Sequence, residues 1–280
     1  MLLLVPAAAF AQSAPATPSP APTAVATAAA TAAPNPIGPA LFPNDPCTSL
    51  SAIITRPSVD NSVCTVRPNH VAIETGYQNV SSNGVGNTVT YPQTLIAIGT
   101  KIPGLELDIT PPQFERVTAA GTYLSGTTDA GVGLKAVFAA SGKAQLGGLI
   151  SFSAPTGSSG ISAGGTESDY SLQGSLALSP ALSITSTMQL QSLTNGNQRW
   201  SSFVPAAVLS LSLPQATSVF AEAATFSNAV GPQSATRTQY LVGIQHDIGA
   251  LTQLDFSYGY SPTIATGRYH SIGFGVSRYF

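Results

Sequence analysis

The sequence predicts an all-β fold: a closed antiparallel transmembrane β-barrel of about 12 strands, preceded by a disordered N-terminal linker. Three observations predict it. Apolar and polar residues alternate with a period of two along much of the chain. Tight turns alternate with longer polar loops between the alternating segments. Charged residues make up only 8% of 280 residues, against about 25% in a soluble domain.

The hydrophobic share, 43%, is ordinary, and the missing charge is replaced by Ser, Thr, Gln, Asn and 26 Gly. After the first residues no run approaches the ~18 apolar residues of a membrane-spanning helix. A chain that spans must then do so as strands, and lipid forces their sheet to close because every backbone polar group needs a partner. The net charge of -2 supplies no basic field, so nucleic acid is set aside as a partner.

The elements follow in order. Residues 1–11 read as a signal peptide: Leu2 to Phe10 are apolar and Ala9-Phe10-Ala11 ends in small residues before Gln12. No Lys or Arg precedes this core, which points to a start upstream of Met1. Residues 12–46 are almost entirely Ala, Pro, Thr and Ser, too poor in large apolar groups to order, and are expected to be a spacer in the periplasm. Residues 47–68 are expected to form a separate periplasmic segment. They hold the only two cysteines, Cys47 and Cys64, and an oxidising compartment makes a disulfide the expectation. It would close a small loop containing Arg56, Pro57 and Asp60. Two Cys without a His pair make a poor metal site, and no cofactor is expected.

The barrel is expected over 69–280, with strands starting near His70, Asn87, Gly104, Ala130, Lys143, Ser168, Ala181, Ser201, Ala216, Thr236, Ala250 and Tyr269. In Ala181 to Gln191, Leu182, Ile184, Met188 and Leu190 alternate with Ser183, Thr185, Thr187, Gln189 and Gln191. In Gln253 to Tyr260, Leu254, Phe256 and Tyr258 face Gln253, Asp255 and Ser257. A soluble sandwich also alternates, but the connections separate the two. Tight turns at Pro103-Gly104, Ser141-Gly142, Ser179-Pro180, Pro214-Gln215 and Ile248-Gly249 interleave with longer loops at Val117 to Asp129, Thr156 to Glu167, Ser227 to Ala235 and Ser261 to Arg268. Short turns on one side of the membrane and long loops on the other suit a barrel. In Thr90 to Lys101 and Trp200 to Leu213 apolar residues fall on both phases, so a kink at Pro92 or Pro205, a bulge or a shifted boundary is expected. The count stands between ten and 14.

At the end of the chain Ile272, Phe274, Val276 and Phe280 share one phase. This resembles the C-terminal strand of bacterial outer-membrane proteins, whose last aromatic is the signal read by the barrel-assembly machinery; Arg278 departs from it, standing where an aromatic is usual. More widely, Arg56-Pro57-Ser58-Val59, Cys64-Thr65-Val66, His70 to Tyr77, Gly133-Leu134-Lys135, Ser151 to Gly157 and Gly273 to Phe280 resemble the family labelled as components of a meta-cleavage phenol-degradation pathway or as transporters. The resemblance covers roughly Arg56 to Phe280. It implies an outer-membrane barrel in contact with membrane lipid and a transport role, with no substrate specified.

The phase assigns Glu74, Glu106, Asp108, Lys135, Lys143, Asp169, Glu222, Arg237, Asp247 and Asp255 to the lumen, ten of 22 charged residues. A lumen of both signs suits either a narrow polar path or a plugged tube. Passive passage of small solutes, aromatic or apolar ones among them, is the function expected. The alternatives are a structural or adhesive barrel with a plugged lumen, and a barrel hydrolase. The hydrolase rests on His270-Ser271, but adjacent strand residues point to opposite faces, so no catalytic residue is assigned.

Overall fold

A computed structural model describes residues 37, 45, 47–59, 62–82, 86–119, 121–228, 231–262 and 268–280, all within the compact unit Pro34–Phe280. The expected signal peptide and nearly all of the expected linker lie outside the described residues. One short helix, α1 (Leu50–Ile53), precedes β1 (Val71–Ser82), β2 (Gly86–Tyr91), β3 (Leu95–Gly99), β4 (Leu105–Thr110), β5 (Phe114–Ala119), β6 (Thr122–Thr127), β7 (Ala130–Ala140), β8 (Ala144–Ala154), β9 (Glu167–Ala177), β10 (Leu182–Thr194), β11 (Arg199–Leu213), β12 (Thr217–Phe226), β13 (Arg237–Asp247), β14 (Thr252–Ser261) and β15 (Tyr269–Tyr279).

All pairings are antiparallel, and the sheet closes where β15 pairs with β1, from Ala72 opposite Tyr279 to Ser82 opposite Tyr269. β1 meets β3 with its first half and β2 with its second. β4 likewise pairs with β3 and β7, and β5 with β2 and β6. Thus β2 with β3, β4 with β5, and β6 with β7 are three staves each broken once, and the barrel has 12 staves. Two of the breaks fall at Pro92 and at Pro111-Pro112, where a missing N–H interrupts the ladder, and the third falls at Thr128-Asp129.

Five tight turns lie where they were expected, at the end where β1 starts and β15 finishes; we call this the turn end. The opposite, loop end differs from expectation at Val117 to Asp129, which is no loop: it contains the end of β5, a tight turn through Gly121 (φ 79°) and all of β6. These residues lack an oily stripe, so the period of two was faint there. Of the two prolines offered as alternative kinks, Pro92 marks a break and Pro205 does not. β11 runs unbroken through it, because its ladder to β12 begins only at Ala206 and the absent N–H falls beyond that ladder. The mixed phase of β11 has another cause: Val208 faces inward and packs with Phe220 and Leu241.

The two faces of the sheet invert the soluble rule. Outward side chains such as Met188 (60% exposed), Phe274 (54%) and Val242 (51%) are apolar and open, whereas inward Glu106, Gln173 and Gln253 are fully buried. An oily outside around a hydrogen-bonded inside is the arrangement lipid requires. Among the described residues no helix is long and apolar enough to cross a membrane.

Candidate functional site

The described residues of 47–67, expected as a periplasmic segment ahead of the barrel, lie inside it. Cys47 and Cys64 are joined by a disulfide, as expected. Around it Ile37, Leu50, Ile53, Ile54 and Val66 form an apolar core with Ala72, Ala97 and Tyr279 of the wall, closing the turn end of the lumen. At its base Arg67 is buried, its Nη1 2.6 Å from Asp45. The Arg67 guanidinium also donates to the Cys47 carbonyl, and the Arg67 N–H donates to the Tyr279 hydroxyl (3.1 Å).

Higher in the lumen the segment is held by wall carboxylates. Glu74 on β1 accepts the N–H groups of Thr55 (3.0 Å) and Arg56 (2.8 Å). Glu222 on β12 accepts the Ser58 hydroxyl and the Val59 N–H, and Glu106 on β4 accepts the Val66 N–H. The Arg56 guanidinium lies against Asp255 on β14 (3.5 Å) and donates to Gln93 (2.9 Å) and to the Phe274 carbonyl. A buried carboxylate needs such donors, because leaving one unpaired costs several kcal/mol, about 3–5 where a buried partner is removed.

Wall glycines make the seat. A Cβ added at Gly76 or Gly275 would overlap the Arg56 side chain, one at Gly99 would overlap the Arg67 carbonyl, and one at Gly147 would press on Val63. The strands are thus cut to the shape of the segment they enclose.

Of the ten charged residues expected in the lumen, Glu74, Glu106, Asp108, Lys135, Glu222 and Asp255 are buried there. Glu106 and Lys135 form an ion pair at 2.6 Å, with Asp108 one step along β4. Asp169, Arg237 and Asp247 are half-buried on the inward phase; the Arg237 guanidinium lies over the rings of Phe226 (4.8 Å) and Tyr269 (5.0 Å). Lys143 is exposed, in the turn before β8. The phase did not reach Arg56, Arg67 or Gln145, which sits against the disulfide. Of the three, only Arg56 lay in a piece of the resemblance, Arg56-Pro57-Ser58-Val59.

The space left in the lumen is divided. A cavity of about 480 Å³ opens above the segment and is lined by β3, β4 and β7 to β10. A second, of about 260 Å³, lies at the turn end against β8 to β13. Thr55 and Ser58 line both, so this stretch of the segment is the partition between them. At the same level the wall side chains Gln173 and Thr187 are buried (0% and 2% exposed).

The histidines do not gather into a site. His270 meets the Tyr258 hydroxyl at 2.6 Å on the outer face, while Ser271 is buried on the inner one. His246 meets Thr217, and His70 the Phe280 carbonyl.

No family model matches the chain, and no curated protein matches it in sequence. Solved structures share its fold. An outer-membrane channel from Pseudomonas putida F1 is 14% identical, with a TM-score of 0.59 over 78% of this chain and 97% of that one. The KdgM porin is 12% identical (TM-score 0.51, 75% and 99% covered) and the NanC porin 13% (0.50, 74% and 98%). At such identity the likeness is one of fold, that of outer-membrane β-barrel channels.

Proposed function

We propose that this protein is a passive channel or transporter for small solutes in the bacterial outer membrane, and that the enclosed segment sets its constriction. The observation that carries the reading is the pair of polar-lined cavities inside an oil-coated barrel, meeting at Thr55 and Ser58. Its structural neighbours, two porins and an outer-membrane channel, support it. The resemblance to the phenol meta-pathway family supports solutes with an aromatic or apolar body. On this reading residues 1–11 are a signal peptide, both chain ends and the turn end face the periplasm, and the strand ending at Phe280 is read by the barrel-assembly machinery.

The test is conductance in planar bilayers. The purified chain should give small unitary currents. Glu222→Gln keeps the size of the side chain but weakens its hold on Ser58 and Val59, and should give larger or longer openings. A second reading, a structural barrel with a permanently filled lumen, draws on the burial of Gln173 and Thr187. Silence from both the native chain and Glu222→Gln, with heat-dependent gel mobility showing a folded barrel, would select it.

A further inference from the structure

We propose that the free edge of β6 is a docking site for an extended, acidic peptide segment of a partner outside the cell, added to the sheet as a further strand; its place outside the cell rests on the orientation proposed above, while the binding does not.

β6 pairs on one side only, with β5. β7 continues its stave, but the ladder from β7 to β8 ends where Ala130 lies opposite Ala154, so no strand runs beside β6 on the far side. In an antiparallel ladder the main-chain groups of successive residues turn to alternate sides. Thr128 donates its N–H to the Gln113 carbonyl just before β5 (2.8 Å), so Thr127 turns to the free side, and Ser125 and Tyr123 turn with it. Thr127 already uses that side: its carbonyl accepts the Ser158 N–H and its N–H donates to Ser158 Oγ, both at 2.9 Å. One strand-like contact is thus made to this edge. The chain then turns away, with the N–H groups of Ile161 and Ser162 both reaching the Ser158 carbonyl. Among the described residues nothing bonds to the free-side N–H and C=O of Ser125 and Tyr123.

The edge is open and stands clear of the oily belt. Exposed edges are commonly blunted by a charge, a proline or a bulge, and Thr122 to Thr127 carries none of these. Ser125 and Tyr123 are exposed, Tyr123 to 62%. Phe274, Tyr77, Tyr91 and Phe114 form a row of rings across β15, β1, β2 and β5, as at a membrane interface. Phe114 lies opposite Thr127, and Ser125 and Tyr123 lie beyond that row toward the loop end.

The side chains around the edge define the partner. An added strand would turn alternate residues to the outer face, beside Ser125 and Tyr123, and the others to the inner face, beside Leu124. Arg116 lies opposite Ser125 on the outer face; it is exposed, and among the described residues it has no ion-pair partner within 4.0 Å. The outward residues of β1, β2, β5 and β6 include no carboxylate to neutralise it. Ser125 is small, so Arg116 can reach over it to a carboxylate on the added strand, two strand spacings or about 9.5 Å away. Leu124 favours an apolar residue on the other face. The partner is therefore an extended segment alternating acidic and apolar residues, bound by strand addition at a sheet edge.

The test uses the full chain in detergent and a labelled synthetic decapeptide of alternating Glu and Val, titrated by fluorescence anisotropy. The peptide should bind. Ser125→Pro removes a free-side donor that the fold does not use; it should leave heat-dependent gel mobility unchanged and weaken the peptide by about tenfold. Arg116→Gln should weaken it about fivefold and leave a Gln-Val peptide unaffected. A strand offers one edge to β6, so N-methylation of one alternate set of peptide amides should abolish binding and N-methylation of the other should preserve it. No binding, binding unchanged in Ser125→Pro, or equal effects of the two methylated peptides overturns the proposal. Dimers of the native chain that Ser125→Pro dissociates give the edge to a second copy and overturn the peptide assignment.

Discussion

The two halves of the wall are built for different tasks. The half running from β12 through β15 to β1, with β4 beyond, presents Glu222, Asp255, Glu74 and Glu106 to the enclosed segment and hollows itself with Gly76 and Gly275 to seat Arg56. The half made by β7 to β10 presents Gly, Ser and Gln around the open cavity, with Asp169 and Glu167 toward the loop end. Both halves alternate with the same period, so the difference lies in what their inward residues meet. Where carboxylates meet backbone donors of the enclosed segment the lumen is a socket; where they meet donors of the wall and its loops instead it stays a space. A polar inner face therefore does not by itself mean an open path.

Perturbations should separate the halves. The largest effect is expected from Arg67→Ala, which leaves Asp45 buried without its cation and removes the bond to the Cys47 carbonyl. A cost of about 3–5 kcal/mol to the docked segment is expected, and conductance should rise several-fold while the barrel still shows heat-dependent gel mobility. Next comes Cys47→Ser with Cys64→Ser. Opening a loop of this size should cost about 3 kcal/mol, read as faster proteolysis between Cys47 and Arg67 and as noisier currents. The smallest effect on stability belongs to the other half: Ser151→Ala should change thermal stability by no more than about 0.5 kcal/mol. Equal responses of segment protection to Ser151→Ala and Arg67→Ala would end the division between socket and space.

Much of the fold was legible because lipid and lumen impose opposite demands on alternate residues. β10 and β14 show it plainly, since the inward residues from Ser183 to Gln191 and from Gln253 to Ser257 are polar throughout. Legibility failed where that contrast faded. β6 carries no oily stripe, and the inner face of β11 packs Val208 on Phe220 and Leu241, so both phases are apolar. The enclosed segment was hidden for another reason: it is irregular, with one four-residue helix, and periodicity has nothing to say about such a chain. Its carboxylate partners were found as inward residues, but their use was not, because Glu74 or Glu222 reads the same in sequence whether it faces water or the N–H of Thr55 or Val59.

Arg56 also lies across the joint between the first and last strands. Its backbone N–H goes to Glu74 on β1, and its guanidinium goes to the Phe274 carbonyl on β15 and to Asp255 on β14. The seam is the one place where a barrel can come apart without tearing a turn. Here it carries an internal brace, supplied by residues that precede the barrel in the chain. Closure and filling of the lumen are therefore mechanically linked: a force that parts β1 from β15 must first strip Arg56 from its seat, and a change that empties the lumen also loosens the hoop.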